Sequence, residues 1–178
     1  MAKSPSAPFL FSSSRFHFRE IELSDRDYIF LLNEDPEVLT HTGDAPFKDL
    51  AAAEVCIIHN IRFQYEHYGF GRWAVIDKNK GDFLGWCGLK YRPERDTVDL
   101  GYRFFKKYWG QGYATEASIA CLQYSHQKLK LPIIIATARK SNPASIRVLE
   151  KAGMQCTHEA DLEGFEAEWF ESVLDPSH

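Results

Sequence analysis

Between residues 15 and 19, Phe16 and Phe18 alternate with Arg15, His17 and Arg19, and this two-residue period predicts a half-buried strand. Residues 24–27 then match a capping box that opens a helix, which Asp35-Pro36 breaks. Further on, Leu50, Ala53, Ile57, Ile61 and Tyr65 recur at three- and four-residue intervals before Gly69, the spacing of a helix with a glycine stop. Residues 70–76, 83–91 and 97–104, separated by polar turns, read as an antiparallel meander. Residues 115–129 carry a broad apolar face (Ile119, Cys121, Leu122, Tyr124), and residues 132–139 are a short continuous apolar run, so a helix and a central strand come next. Asn142 as N-cap, Pro143 at the first helical position and Gly153 just past the end delimit another helix tightly. Residues 154–161 and 165–174, around Gly164, close the chain as a hairpin. The pattern predicts one α/β (α+β) domain over residues 15–178, without internal repeat or linker.

Composition mostly removes alternatives. At 178 residues the chain has the size of one domain, and 44% hydrophobic with 26% charged residues is ordinary for a globular fold. A net charge of −4, with no basic run interleaved with aromatics, excludes nucleic acid as the expected partner. The cysteines Cys56, Cys87, Cys121 and Cys156 are scattered, and the histidines show no ligand spacing, so the expectation is reduced thiols, no metal and a cytoplasmic protein. Residues 1–14 are rich in Ser and Pro; their apolar patch Phe9-Leu10-Phe11 is too brief for a leader or a membrane span, and they are expected to form a flexible tail. No membrane partner is expected.

The candidate chemistry begins where the 97–104 strand runs into Lys106-Lys107-Tyr108 and then Trp109-Gly110-Gln111-Gly112-Tyr113-Ala114-Thr115 at the mouth of a helix. A first helical turn leaves main-chain N–H groups unpaired at the positive end of the dipole, and glycines remove the Cβ atoms that would hold a diphosphate away. Glycines also serve plain tight turns. There is no G-x-x-x-x-G-K-[ST] loop and no G-x-G-x-x-G fingerprint, so the usual nucleotide-binding rivals are absent.

The stretches YGFGRWAVID (68–77), LGYRFFKKYWGQGYATEA (100–117) and SNPASIRVLEKAGM (141–154), with LSDRDYIFLLNEDPEV near the start, resemble the GNAT superfamily of N-acetyltransferases, specifically its Rim-type branch of ribosomal-protein N-terminal acetyltransferases. The resemblance covers residues 16–154. It implies a mixed, mostly antiparallel sheet of about seven strands, flanked by helices and splayed into a V between the strands at 97–104 and 132–139. It implies acetyl-CoA as co-substrate. Of the pattern Q/R-x-x-G-x-G/A, Trp109 occupies the first position and Gly112 and Ala114 the others. By resemblance, the N–H groups of residues 110–115 hold the pyrophosphate, the main chain of Tyr102, Arg103 and Phe104 pairs with the pantetheine arm, and Asn142 lies near it.

Acyl transfer from a thioester to an amine needs a neutral nucleophile, donors for the developing oxyanion and a proton for the departing thiolate. Many relatives supply that proton from a tyrosine seven residues after the helix-opening asparagine, where this chain has Leu149. Ser145, which resembles the serine of the Rim-type branch, is the candidate acid, and Asp99 is the first candidate base, with Glu159 and Glu163 behind it. The implied partner is a primary amine, a protein N-terminus ahead of a small molecule as the alternative, with His41 and Trp169 as candidate lining and the protein acting as monomer or homodimer. A binding module that keeps acyl-CoA affinity without turnover is the reading from another class, since the tyrosine is absent at Leu149.

Overall fold

The strands are β1 (Phe9–Ser12), β2 (Phe16–Glu20), β3 (Arg72–Asp77), β4 (Phe83–Arg92), β5 (Thr97–Phe104), β6 (Ile133–Arg139), β7 (Gln155–Leu162) and β8 (Phe165–Val173). In the computed structural model, which describes residues 7–174, they form one eight-stranded sheet in the order β1-β2-β3-β4-β5-β6-β8-β7. Every neighbouring pair is antiparallel except β5 and β6. The helices are α1 (Arg26–Leu32), α2 (Pro36–Leu39), α3 (Leu50–Cys56), α4 (Phe63–Tyr68), α5 (Tyr113–Gln127) and α6 (Pro143–Lys151).

Strand alternation sorts the core into two layers. Phe16, Phe18, Trp73, Val75, Cys87, Leu89, Leu100 and Phe104 meet Ala117, Cys121 and Leu122 of α5 and Leu149 of α6. On the other layer Ala74, Ile76 and Phe83 meet Ile29 and Leu32 of α1 and Ala53 of α3. Phe16 and Phe18 are wholly buried, and each such side chain contributes on the order of 2 kcal/mol.

The parallel pairing of β5 with β6 consists of one residue pair, Asp99 with Ile135. Beyond it the facing edges of residues 101–104 and 137–139 lack a ladder between them, which is the expected V. On the other side of β5, β4 carries an irregularity. Its register with β3 shifts between Val75 and Ile76, and Gly85 there takes φ 155° with an ideal Cβ only 2.1 Å from Arg103 O, so a side chain would collide with β5.

Three expectations are corrected. The segment read as a tail contains β1, because Phe11 stacks on Phe18 at 4.3 Å and on Tyr124 at 4.2 Å. This is the eighth strand; its four residues are too few to display a period. The first capping box is shifted: Glu22 and Asp25 cap the 3-10 turn Leu23–Asp25, and Asp25 is fixed there by Arg19 at 2.7 and 2.8 Å. Finally, the helix expected before Gly69 is α3 and α4 joined by a π-helical stretch, Ile57–Arg62, whose wider turn stays hidden in a sequence because Ile57 and Ile61 still face inward.

Candidate active site

After β5, Trp109 donates its main-chain N–H to Lys106 O at 3.0 Å and its indole N–H to Phe104 O at 2.9 Å, folding the turn back on the strand. Gly110 and Gly112 follow at φ 71° and 73°, a region where an L-residue is strained, and α5 starts at Tyr113. None of the N–H groups of residues 110–115 has an acceptor among the described residues. An ideal Cβ at Gly110 meets nothing within 4 Å, and one at Gly112 meets only Arg15 Nη2 at 3.7 Å. Unpaired donors at the head of a 15-residue helix, with open space in front of both glycines, fit a diphosphate. Trp109 does not itself offer a donor: both its N–H groups are committed to carbonyls of the chain, so it shapes the turn. The Gln111 side chain likewise bonds Lys107 O at 3.0 Å.

At the other end of the V, the Tyr102 hydroxyl and Ser145 Oγ are 2.8 Å apart, and Asn142 Oδ1 accepts from Ser145 N–H at 3.1 Å. Burial pushes the Tyr102 phenol up to about 12, opposed by the Ser145 bond. Either hydroxyl can donate in this half-buried pair, and when Tyr102 does, the serine hydrogen is left to point elsewhere. Leu149 is a core residue.

Asp99 is engaged by two arginines. One carboxylate oxygen accepts from Arg72 at 3.0 Å, the other from Arg92 at 2.7 Å, so it ties β3, β4 and β5 together. The Arg72 guanidinium covers Gly101, donates to Gly88 O at 2.6 Å and stacks on Trp86. Lys90 beside them is pulled below its ordinary value, by desolvation first and then by Arg92 and Arg72. Glu159 pairs with Lys140 at 2.5 Å on the exposed hairpin, and Glu163 sits in the turn between β7 and β8. Trp169 lies opposite Thr137, stacks on His158 and donates to Glu171 at 3.1 Å; His41 belongs to the loop between α2 and α3. That loop reaches both sides of the V: Asp44 pairs with Arg103 at 2.5 Å, and an ideal Cβ on Gly43 would lie 3.2 Å from Arg139 Nη2.

Sequence reasoning missed a group beside the cradle. Glu116 in the first turn of α5 accepts from Ser13 Oγ at 2.7 Å, Arg15 N–H at 2.8 Å and Arg15 Nε at 2.5 Å. Burial raises its carboxyl, but these bonds outweigh burial and hold it below the usual carboxylate value. A cavity of about 500 Å³ opens here, lined by Ser12, Ser13, Gly112, Thr115, Glu116 and Lys151 among others. No spacing in the sequence links residues so far apart along the chain. Among the described residues no cluster of His, Cys, Asp and Glu could hold a metal ion, and no helix is long and apolar enough to cross a membrane.

A splayed mixed sheet with a free amide turn at its central crossover defines an acyl-CoA-type transferase. Residues 15–155 match the family described as the acetyltransferase (GNAT) domain, and the chain belongs to that family and is an acyltransferase. It is 37% identical over 145 residues to the uncharacterized protein YkkB of Bacillus subtilis, covering 80% of this chain and 83% of that one. A GNAT-family acetyltransferase structure from Bacillus anthracis superposes with TM-score 0.75 at 25% identity, over 91% of this chain and 96% of the other. The fold also matches a spermidine N-acetyltransferase from Vibrio cholerae in complex with CoA and spermine, with TM-score 0.75, 16% identity and coverage of 90% and 96%.

Proposed function

We propose that this protein moves an acetyl group from acetyl-CoA to a primary amine by direct attack in a ternary complex, and that it stands near the Rim-type branch. The observation carrying this reading is the row of acceptor-free N–H groups over residues 110–115 with open space before Gly110 and Gly112. In this reading the diphosphate rests on those amides and the pantetheine arm follows the unladdered edge of β5 at Tyr102, Arg103 and Phe104, past Asn142. A main-chain N–H on that edge meets the developing oxyanion. Ser145 gives its hydrogen bond to the departing sulfur, with Tyr102 donating into the serine oxygen behind it.

With Asp99 held by two guanidiniums, the amine arrives neutral and its excess proton leaves to water. An α-amino group, which titrates at about 7.7–8.0, needs no strong base for this. Between the two acceptor classes we favour a small-molecule amine, because the loop carrying Gly43 and Asp44 spans the mouth of the V and narrows the approach that an extended protein N-terminus would need.

The test is titration calorimetry with acetyl-CoA followed by thiol release against a panel of small amines and N-terminal peptides. Saturable binding with thiol release for small amines is expected. Binding without release for any amine would turn the protein into an acyl-CoA-binding module; release for peptides alone would reverse the acceptor assignment. No binding would remove the whole reading.

A further inference from the structure

The chain has Trp109 where its family's pattern places Gln or Arg, and that indole is turned back to Phe104 O, so the turn residues 109–115 carry no cationic side chain. The structure brings one from the other end of the sequence. The turn between β1 and β2 lies against the first turn of α5, anchored on one side by Phe11 stacked on Tyr124 and on the other by Ser13 and Arg15 bound to Glu116. Arg15 Nε goes to Glu116 at 2.5 Å and Nη1 to Gln111 O at 3.1 Å, and the guanidinium lies over the Tyr113 ring at 4.6 Å. These contacts fix the plane of the group. Its remaining nitrogen, Nη2, is 3.7 Å from the point where a Cβ of Gly112 would stand.

We infer that Arg15 is a cofactor-binding residue: its Nη2 donates to the diphosphate of acetyl-CoA, supplying from the β1–β2 turn the cation absent from Trp109. This rests on the acetyl-CoA reading above. A planar guanidinium with two of its nitrogens already bonded is pre-organised, so little rotamer freedom is lost when the third meets an anion. The main-chain amides contribute direction and partial charge, and Arg15 contributes the full charge. Glu116 has a second role here, as the carboxylate that aims Arg15; the pair is neutral overall, yet its positive edge is the one that borders Gly112. The β1–β2 hairpin is then part of the binding site as well as an edge of the sheet.

The experiment measures dissociation constants by calorimetry for acetyl-CoA and 3′-dephospho-acetyl-CoA, and kcat/KM for S-acetylpantetheine, in wild type, Arg15→Ala and Arg15→Ala/Glu116→Ala. The expected result is a rise of about tenfold in Kd for both nucleotide thioesters in Arg15→Ala, retained in the double variant, with kcat/KM for S-acetylpantetheine unchanged. A penalty that disappears with 3′-dephospho-acetyl-CoA would assign Arg15 to the ribose phosphate and overturn the proposal. A penalty cancelled in the double variant would trace it to the bared Glu116 charge, with the same consequence. A fall in kcat/KM for S-acetylpantetheine matching the loss of acetyl-CoA affinity would mark a loosened fold instead. If wild type binds acetyl-CoA and Arg15→Ala binds it equally well, this inference fails alone; if wild type does not bind, the functional reading fails with it.

Discussion

In the proposed reaction Tyr102 contributes by both main chain and side chain: its backbone lies on the unladdered edge of β5, and its half-buried phenol is 2.8 Å from Ser145 Oγ. With the phenol pushed up to about 12 it stays a neutral donor throughout the neutral range. Replacing it by Phe removes the donor that, in the proposed step, faces the serine oxygen while the serine hydrogen goes to sulfur. A neutral hydrogen bond of about 1 kcal/mol corresponds to a fall in kcat of roughly five- to tenfold, with KM for acetyl-CoA unchanged and no further loss when Tyr102→Phe is added to Ser145→Ala. Steady-state kinetics on the three variants decides this; additive losses would separate the two hydroxyls. Ser145 and Asn142 were readable from the helix-start motif they occupy. The Tyr102 phenol was not, because 43 residues separate it from Ser145 and only the sheet and α6 bring them together. Asp99 is a different case: the acid is visible in the sequence, but only the sheet shows that Arg72 and Arg92 from neighbouring strands bind both its oxygens.

The β1–β2 hairpin is stapled to α5 through Glu116, and this gives the element a pH signature. The folded-state value of Glu116 is lowered, so its contribution is fully present above the ordinary carboxylate value of 4.5 and is lost as pH falls through the lowered one. Thermal melting of Glu116→Gln against wild type is therefore expected to show a gap at pH 7 that narrows as pH falls below about 4.5. A gap constant with pH would mean that the carboxylate charge plays no part in holding the hairpin. At this scale the best-read elements were those with local chemical limits. Residues 97–104 and the Asn142 to Gly153 helix match their strand and helix, since capping and turn residues act within a few positions. The π-helical stretch and β1 escaped, because a π turn alters hydrogen bonding while its apolar residues still face the core, and a four-residue strand is defined by what it packs on.

Across the whole molecule, the loop between α2 and α3 joins the two halves of the V by the Asp44–Arg103 ion pair and the approach of Gly43 to Arg139. In the proposed arrangement this loop borders the acceptor while the amides of residues 110–115 lie elsewhere, so Asp44→Ala is expected to raise KM for the amine several-fold while leaving the acetyl-CoA Kd unaltered. An equal loss on both substrates would show that the pair supports the fold as a whole. What the sequence determined by itself was local: which residues alternate or recur to make strands and helices, where glycines permit φ near 70° before α5, and which asparagine caps α6. What only the tertiary structure decided was every meeting between distant segments: Arg15 with Glu116, Tyr102 with Ser145, Asp99 with two arginines, and the parting of β5 from β6 after one pair. Periodicity and capping are fixed by contacts within a turn or two of chain, whereas partners far apart in sequence are chosen by packing of the assembled sheet, which carries no spacing rule along the chain.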